Sequence, residues 1–360
     1  MKKILILCND SNGLYLFRKE LLLNFVKNFK VYVVAPDELD KEKIMSLGCR
    51  YEKVQLSRRS TNPLSDLNLL KSYVRIIKRI CPDIVITYTI KPNIYGGLAC
   101  RLLHIPYAVN ITGLGTAFQK RGALRTLVTM MYKVGLKRAK VVFFENCENQ
   151  QIFIDNKIVP EKKTYLLNGA GVNLKHFKYQ DYPMDSDEIR FLFVGRVMHE
   201  KGINELFKAM RMLRKVGVNC SLDVVGRYEE NYESAIKSFE EEGWLHYHGF
   251  QDDVLPFIGN CHCFVLPSWH EGMANTNLEC AASGRPVITS NIHGCLEAVV
   301  NGKSGFLCEK QNVRSLYAVM KRFTELSPEQ RREMGIEGRK HMEDVFDKEK
   351  VVEETFKKLF

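Results

Sequence analysis

No stretch of this chain approaches the ~20 consecutive apolar residues that a membrane-spanning helix requires, although apolar residues make up 45% of the sequence. The short apolar run after Met1 ends at once in the polar residues Asn9 and Asp10. We therefore interpret that run as a buried strand rather than as a signal peptide. The composition is that of a soluble globular protein, and 360 residues allow two domains.

Cysteine patterns that would indicate zinc are also missing. The eleven cysteines are scattered, and none of them forms a CxxC pair; Cys261 and Cys263 are the only close pair. Several others, such as Cys8, lie in apolar runs, where cysteine is most often a small core residue. The sequence therefore favours reduced thiols in a cytoplasm.

One glycine pattern lacks what a dinucleotide-binding fingerprint requires. Gly113 and Gly115 follow an apolar run, but the third glycine of the fingerprint is absent, and no acidic residue stands where a ribose would need it. NAD is therefore not expected as a cofactor.

Positive charge is concentrated in the first half of the chain. Residues 1–180 hold 30 Lys and Arg against 13 Asp and Glu, a net of +17, and the remainder holds 23 against 29, a net of −6. The asymmetry predicts a polyanionic partner for the first half, either nucleic acid or an anionic membrane. Because no nucleic-acid recognition motif is present, we expect no nucleic acid. A predicted amphipathic helix carries the cations Arg121, Arg125, Lys133, Lys137 and Arg138. Taken alone, it favours a core-packed helix with a solvated face, and the net charge of +17 is what favours contact with an anionic membrane.

Buried strands alternate with amphipathic helices along the chain, which predicts an α/β fold with parallel sheets. The polar, acidic segment 175–190 interrupts this alternation, and we interpret it as a linker. The expected domains are 1–174 and 191–340, followed by charged helical residues 341–360.

The most informative stretch runs from Cys263 to Thr289. A short strand is followed by a loop with Glu271, a helix with Glu279, and a second strand. Ligands of such sheets bind at the carboxyl ends of the strands, so both carboxylates are predicted to line one crevice.

Glu271 and Glu279, with seven residues between them, resemble the paired-glutamate motif of retaining glycosyltransferases of family 4. The string from Glu271 to Ile288 is similar to the subgroup that builds bacterial surface polysaccharides, including undecaprenyl-diphosphate-sugar N-acetylgalactosaminyltransferases. The resemblance implies the GT-B fold: two doubly wound Rossmann-like domains facing across a cleft, with the first binding the acceptor and the C-terminal helix crossing back to it.

A second motif, Gly195-Arg196 with Lys201 and Gly202, places two cations beside a predicted helix start. Cations and free backbone N–H groups at a helix start favour a diphosphate. The resemblance implies that Arg196 and Lys201 hold the diphosphate of a UDP-sugar and stabilise it as it leaves.

The resemblance also assigns roles to the paired-glutamate stretch. Glu279 would bind the ribose hydroxyls, and Glu271 would contact the transferred sugar; backbone N–H groups of Gly272, Met273 and Ala274 are candidates for phosphate or sugar contacts. Met273 stands where the family more often has Phe.

Further candidates lie beside this motif and in the first half of the chain. His270 is a candidate sugar contact, and the acceptor-side candidates are Gly13, Asn110, Thr112 and Gly113. Asp185-Ser186-Asp187 has the DxD form that binds a cation in the other large glycosyltransferase fold. Because it lies in the predicted linker, we expect no metal.

The sequence thus predicts a retaining hexosyltransferase that uses a UDP-sugar and a polyprenyl-diphosphate-linked saccharide, peripheral on the inner face of a bacterial membrane. Two carboxylates would also suit a glycoside hydrolase, but the neighbouring phosphate-type loop argues against it, because a hydrolase has no diphosphate to bind. Two alternatives stay open at this point: a GT-B-like nucleotide-sugar epimerase and a non-catalytic lipid-surface module.

Overall fold

The computed structural model describes residues 1–56, 62–115, 118, 122–183 and 187–360. It divides into two units, the first formed by Met1–Ala170 with Glu349–Phe360 and the second by Gly171–Lys348. This division places 171–188 in the second unit, where the sequence predicted a linker over 175–190. Asp185 and Ser186 of the DxD string and Arg121 of the basic helix lie outside the described residues.

The first unit alternates strands and helices. Its strands are β1 (Lys3–Leu7), β2 (Lys30–Ala35), β3 (Arg50–Lys53), β4 (Ile84–Tyr88), β5 (Tyr107–Ile111), β6 (Val141–Phe144) and β7 (Thr164–Leu166). Its helices are α1 (Ser11–Val26), α2 (Lys41–Ser46), α3 (Pro63–Ile80), α4 (Gly97–Leu103), α5 (Ala123–Leu136) and α6 (Cys147–Asp155), and the terminal helix α13 (Lys348–Leu359) joins them.

These seven strands form a parallel sheet in the order β3-β2-β1-β4-β5-β6-β7. The central strands are continuous apolar runs because both faces of such a sheet are covered: Ile4 pairs with Val31 on one side and with Ile84 on the other. The strand order reverses between β1 and β4, which is the switch point of a doubly wound sheet.

The terminal helix is held in the first unit by aromatic packing. The ring of Phe360 stacks on that of Phe29 with centroids 4.7 Å apart, and Phe356 lies 6.4 Å from Phe25. The Lys140 ammonium donates to the carbonyl of Leu359 at 2.6 Å. The predicted return of the C-terminal helix to the first unit is confirmed, beginning at residue 349.

The second unit repeats the plan with six strands. They are β8 (Ile189–Val194), β9 (Cys220–Val225), β10 (Leu245–Tyr247), β11 (Cys263–Leu266), β12 (Val287–Ser290) and β13 (Gly305–Cys308). The helices are α7 (Ile203–Lys215), α8 (Glu233–Glu241), α9 (Leu255–Asn260), α10 (Asn275–Ala282), α11 (Val313–Thr324) and α12 (Pro328–Val345).

The sheet order of the second unit is β10-β9-β8-β11-β12-β13, again all parallel. Two adjacent strands, β8 and β11, flank the point where the order reverses. The loops that follow them are the two that carry the motifs singled out in the sequence. The predicted pair of doubly wound α/β units is confirmed.

Two helices begin differently from what their sequence patterns predict. The polar run 9–13 predicts a turn followed by a helix from Leu14, but Asp10 is extended and α1 begins at Ser11. Gly13 therefore lies inside the helix. The pattern over 93–103 predicts a helix, which is confirmed through Leu103, but its first turn, Pro92–Gly96, is π-helical and runs into α4. Only glycine fits at position 97, because a Cβ there would stand 2.5 Å from the carbonyl oxygen of Gly135.

Candidate functional site

The site is built from two loops at the switch point of the second sheet. The first runs from Gly195 to Gly202 after β8 and includes a short 3₁₀ turn, His199–Lys201. The second joins β11 to α10 across residues 267–274. Adjacent parallel strands end at the same edge, so the fold brings the two motifs together although about 70 residues separate them in the chain.

Gly202 makes the contact between these loops possible. Its φ is +73°, and a Cβ there would lie 2.1 Å from the carbonyl oxygen of Pro267. The backbone N–H of Trp269 also donates to the carbonyl of Glu200 at 2.9 Å. The loops are therefore fixed to each other by their backbones before any side chain is considered.

Lys201 and Glu271 form an ion pair across this junction. The Lys201 Nζ lies 2.5 Å from Glu271 Oε1, and the buried hydroxyl of Ser268 donates to the same oxygen at 2.7 Å. The two charged side chains are only 18% and 12% exposed. A partly desolvated ion pair with an added hydrogen bond is held in one geometry. The Lys201 ammonium therefore has a fixed position at the carboxyl edge of the second sheet.

The other predicted cation, Arg196, lies in a different setting. Its side chain is 55% exposed, and its guanidinium lies 3.8 Å from the carboxylate of Glu229. Gly195 before it is closely packed, because a Cβ on Gly226 would stand 1.8 Å from the Gly195 carbonyl oxygen. The backbone at Arg196 is therefore fixed while its long side chain reaches into solvent, where it can meet an incoming anion.

The start of α10 corrects part of the sequence prediction. The N–H of Ala274 donates to the carbonyl of Gly294 at 2.7 Å, so this amide is engaged within the protein rather than offered to a ligand. Met273 and Ala274 are both buried, at 6% and 4% exposure. Gly272 is half-buried beside Glu271.

Glu279 lies in α10, half-buried. Burial raises the pKa of its carboxyl to about 7, and the positive charge of Lys348 acts in the opposite direction. Lys348 is itself 6% exposed. A carboxyl in this setting has a strong demand for hydrogen-bond donors, which the two hydroxyls of a ribose would meet.

A third loop, after β12, supports the site and was not identified from the sequence. A Cβ on Gly294, whose φ is +89°, would lie 2.8 Å from the carbonyl oxygens of both Glu271 and Gly272. The Glu297 carboxylate accepts from the N–H of Gly294 at 2.7 Å and pairs with the ring of His293 at 2.8 Å. A single His and a single Glu after a strand form no recognisable sequence motif. Only their position, after a strand that ends at the same edge of the sheet, could have identified them as site residues.

Arg285, which lies in the motif stretch from Glu271 to Ile288, has a structural role. Its side chain is fully buried and donates to six backbone carbonyls at distances of 2.8 to 3.4 Å, among them those of Ile258, Gln180 and Asp181. It fixes the chain around the end of α10 and does not approach the switch point through these contacts.

His270 is exposed, with its Nε2 3.7 Å from the Glu200 carboxylate. It thus lies at the rim of the same two-loop junction. Its predicted sugar contact stays a prediction.

The candidates of the first unit lie at the carboxyl edge of its own sheet. Asn110 is 3% exposed; its amide donates to the Thr87 carbonyl at 3.3 Å, and the Asn93 amide donates to the Asn110 carbonyl at 2.8 Å. This network joins β4, β5 and the π-helical turn, which gives Asn110 a structural task. Thr112 and Gly113 follow β5 and are half-buried, and Gly13 lies in the first turn of α1.

Known proteins match both units. Residues 3–146 match the family model described as glycosyl transferase 4-like, and residues 175–341 match that described as glycosyl transferases group 1. The chain is 28% identical to the N,N'-diacetylbacillosaminyl-diphospho-undecaprenol α-1,3-N-acetylgalactosaminyltransferase of Campylobacter jejuni, over 87% of each protein. It is 27% identical to the UDP-Gal:α-D-GlcNAc-diphosphoundecaprenol α-1,3-galactosyltransferase of Escherichia coli, over 74% of this chain and 73% of that one.

Among solved structures, the Anabaena protein HepE in complex with UDP and glucose superimposes with a TM-score of 0.82 at 16% identity, covering 100% of this chain and 99% of that one. The two doubly wound units thus have the GT-B fold. The two family models together span both units, and the chain belongs to glycosyltransferase family 4.

The close approach at Gly202 predicts a large loss of stability in Gly202→Ala. The positive φ costs an alanine about 1 kcal/mol, and the clash with Pro267 raises the loss in the free energy of unfolding to about 3 kcal/mol or more. Gly217→Ala is the matched control, because its φ is +85° and no atom lies within 4 Å of the place that its Cβ would take. Urea unfolding followed by fluorescence of Trp244 and Trp269, both in the second unit, measures the difference; equal losses in the two variants would contradict the packing argument.

Lys201→Ala is expected to lower turnover by about 10²–10³-fold, as for loss of one preorganised charge stabiliser. The measurement is kcat of sugar transfer with a saturating donor. Lys208→Ala, which removes an exposed cation from α7, is the control and should leave kcat unchanged. Unchanged turnover in Lys201→Ala, with an intact melting temperature, would remove Lys201 from the mechanism.

The raised pKa of Glu279 predicts a specific dependence of stability on pH. Because the folded pKa of about 7 exceeds the ordinary 4.5, the stabilising effect of the bound proton is full below about pH 4.5 and is lost as the pH rises through 7. Glu279→Gln should remove about 1–3 kcal/mol of this dependence between pH 5 and 8. Thermal unfolding at each pH tests it, with exposed Glu241→Gln as control; parallel curves for wild type and Glu279→Gln would contradict it.

Proposed function

We propose that this glycosyltransferase moves a sugar from a UDP-sugar to a polyprenyl-diphosphate-linked saccharide, with retention of the anomeric configuration. The observation that carries the proposal is the Lys201–Glu271 pair fixed at the switch point of the second sheet. The names of two relatives support the substrate classes, since both are transferases acting on undecaprenyl-diphosphate-linked sugars.

The chemistry asks the protein for positive charge where the diphosphate leaves. When the bond between the anomeric carbon and the phosphate oxygen breaks, negative charge grows on that oxygen. An ammonium held in a partly desolvated position stabilises this charge without having to reorganise. Lys201 is such a group, and the more exposed Arg196 adds a planar guanidinium that binds two phosphate oxygens at once.

Glu271 has two tasks in this proposal. Before the donor arrives, its carboxylate holds the Lys201 ammonium in place, and the Ser268 hydroxyl orients the carboxylate. With the donor bound, the carboxylate lies where it can accept a hydrogen bond from a sugar hydroxyl and stabilise the positive charge that develops at the anomeric carbon. Both tasks need an ionised group, which argues against a general-acid role of the kind that a glycoside hydrolase requires.

Retention follows if the acceptor hydroxyl attacks from the face that the diphosphate leaves. The departing phosphate oxygen then takes the proton of that hydroxyl, so no separate protein base is required. Glu279 binds the ribose hydroxyls, and its preference for hydrogen-bond donors anchors the nucleoside while the sugar reacts. The electrostatic task that a metal has in other transferases falls to Arg196 and Lys201.

The acceptor places the reaction at a membrane surface. Among the described residues, every helix is too short or too polar to span a bilayer. The net charge of +17 in residues 1–180 suits the anionic lipids of the inner face, where each cation near the surface is worth ~1 kcal/mol. We propose peripheral contact there through the first unit.

A substrate panel tests the proposal directly. UDP-, GDP- and ADP-sugars are each incubated with a short-chain polyprenyl-diphosphate saccharide, and products are read by mass and by the anomeric coupling constant. We expect transfer from a UDP-sugar with the donor configuration kept, and little transfer in Glu279→Gln at low donor concentration. An inverted product, or epimerised donor without transfer, would contradict the proposal.

A further inference from the structure

Helix α5 has one face packed in the first unit. The buried side chains include Val128, Tyr132 and Leu136. The Tyr132 ring lies 5.0 Å from that of Phe153, and the Gly135 carbonyl accepts from the Tyr107 hydroxyl at 2.6 Å. This face alone accounts for the position of the helix in the unit.

The opposite face of α5 is apolar as well. Leu124, Leu127, Met130 and Val134 are 50%, 55%, 59% and 49% exposed. Their spacing of three or four residues aligns them in one stripe along the helix, called here the α5 stripe. Leu102, near the end of α4, is 63% exposed, and its neighbour Arg101 donates to the Val134 carbonyl. Single exposed apolar residues are ordinary, but an aligned group marks an interaction surface.

The charge around the α5 stripe has one sign. Residues 84–144 contain nine Lys and Arg and no Asp or Glu. Three of these cations, Lys133, Lys137 and Arg138, are exposed at the carboxyl end of α5. A second copy of this chain would bring equal charges face to face across the stripe. An anionic lipid surface supplies the complementary charge and the apolar interior that the stripe needs.

We propose that α5 lies in the headgroup layer of an anionic bilayer, with the α5 stripe turned towards the acyl chains and Lys133, Lys137 and Arg138 among the phosphates. Its 14 residues give a length of about 21 Å, enough to lie along the surface, and amphipathic helices of this kind enter about 5–10 Å. This inference rests on the proposed function in one respect: the proposed lipid-linked acceptor is the reason for the protein to bind a membrane.

Vesicle co-sedimentation of the full chain tests this surface without any substrate. We expect binding to vesicles of phosphatidylglycerol and phosphatidylcholine, and little to phosphatidylcholine alone. Leu127→Gln with Met130→Gln should weaken binding at least tenfold. Lys133→Gln, Lys137→Gln and Arg138→Gln together should weaken it about 100-fold, at roughly fivefold per cation.

Matched variants separate the α5 stripe from general effects. Leu39→Gln with Met45→Gln removes exposed apolar surface elsewhere in the first unit, and Lys208→Gln, Lys215→Gln and Lys237→Gln remove the same charge from the second. Both controls should bind as wild type does. In addition, the tryptophan fluorescence that Leu127→Trp adds should be quenched by brominated lipid if this side chain reaches the acyl chains.

Three outcomes would overturn the inference: equal binding by the Leu127→Gln, Met130→Gln variant, equal binding to neutral vesicles, or a dimer in sedimentation velocity that this variant abolishes. Transfer to a water-soluble short-chain acceptor should be unchanged in the same variant. Loss of vesicle binding with retained transfer supports the α5 surface, whereas absent transfer by a vesicle-binding wild type would contradict only the proposed function.

Discussion

The ion pair between Lys201 and Glu271 is the constraint on which the second unit depends. An ammonium and a carboxylate that are each more than four-fifths buried are costly unless they meet in good geometry. The protein meets this demand through backbone contacts: Gly202 lets the two loops touch, Ser268 adds a hydrogen bond, and Gly294 supports the Glu271 loop from the other side. In the mechanism that we propose, the tight packing around the pair holds the Lys201 ammonium in place before the substrate binds.

That arrangement explains why we propose the diphosphate site at a switch point. Only there do the loops after two adjacent strands diverge, so that a ligand can reach the backbone of both. The loop after β8 supplies cations, and the loop after β11 supplies the carboxylate that orients one of them. Neither loop alone would fix the Lys201 ammonium, because a lysine side chain has four flexible bonds and many rotamers.

Much of this could be predicted from the sequence, and the failures have physical reasons. The apolar runs 141–144 and 189–194, the second interrupted only by Arg190, predict interior strands, and β6 and β8 have these bounds. The strands that were not identified, β3, β7 and β13, are all at sheet edges, where a strand is short or polar and its apolar run is weak. Glu271 was predicted in a loop and Lys201 at a helix start, whereas α7 begins at Ile203 and Lys201 lies in the 3₁₀ turn before it. Their pairing with each other was not predicted. Gly294 and Glu297 support the site through backbone packing, which leaves no periodic signal in a sequence.

The two halves of the chain use charge in opposite ways. Residues 181–360, most of which belong to the second unit, carry a net charge of −6, with 23 cations and 29 anions. We therefore expect no general positive field that would attract the donor to this part of the chain. We therefore propose that its affinity for a diphosphate comes from two cations, the Lys201 ammonium in a fixed position and the more exposed Arg196 guanidinium. In residues 1–180 the surplus of +17 is spread over many side chains, and such a field attracts any extended anionic surface without selecting a single group. Fixed charge for a small ligand and distributed charge for a surface are the arrangements that a soluble donor and a lipid-linked acceptor respectively require.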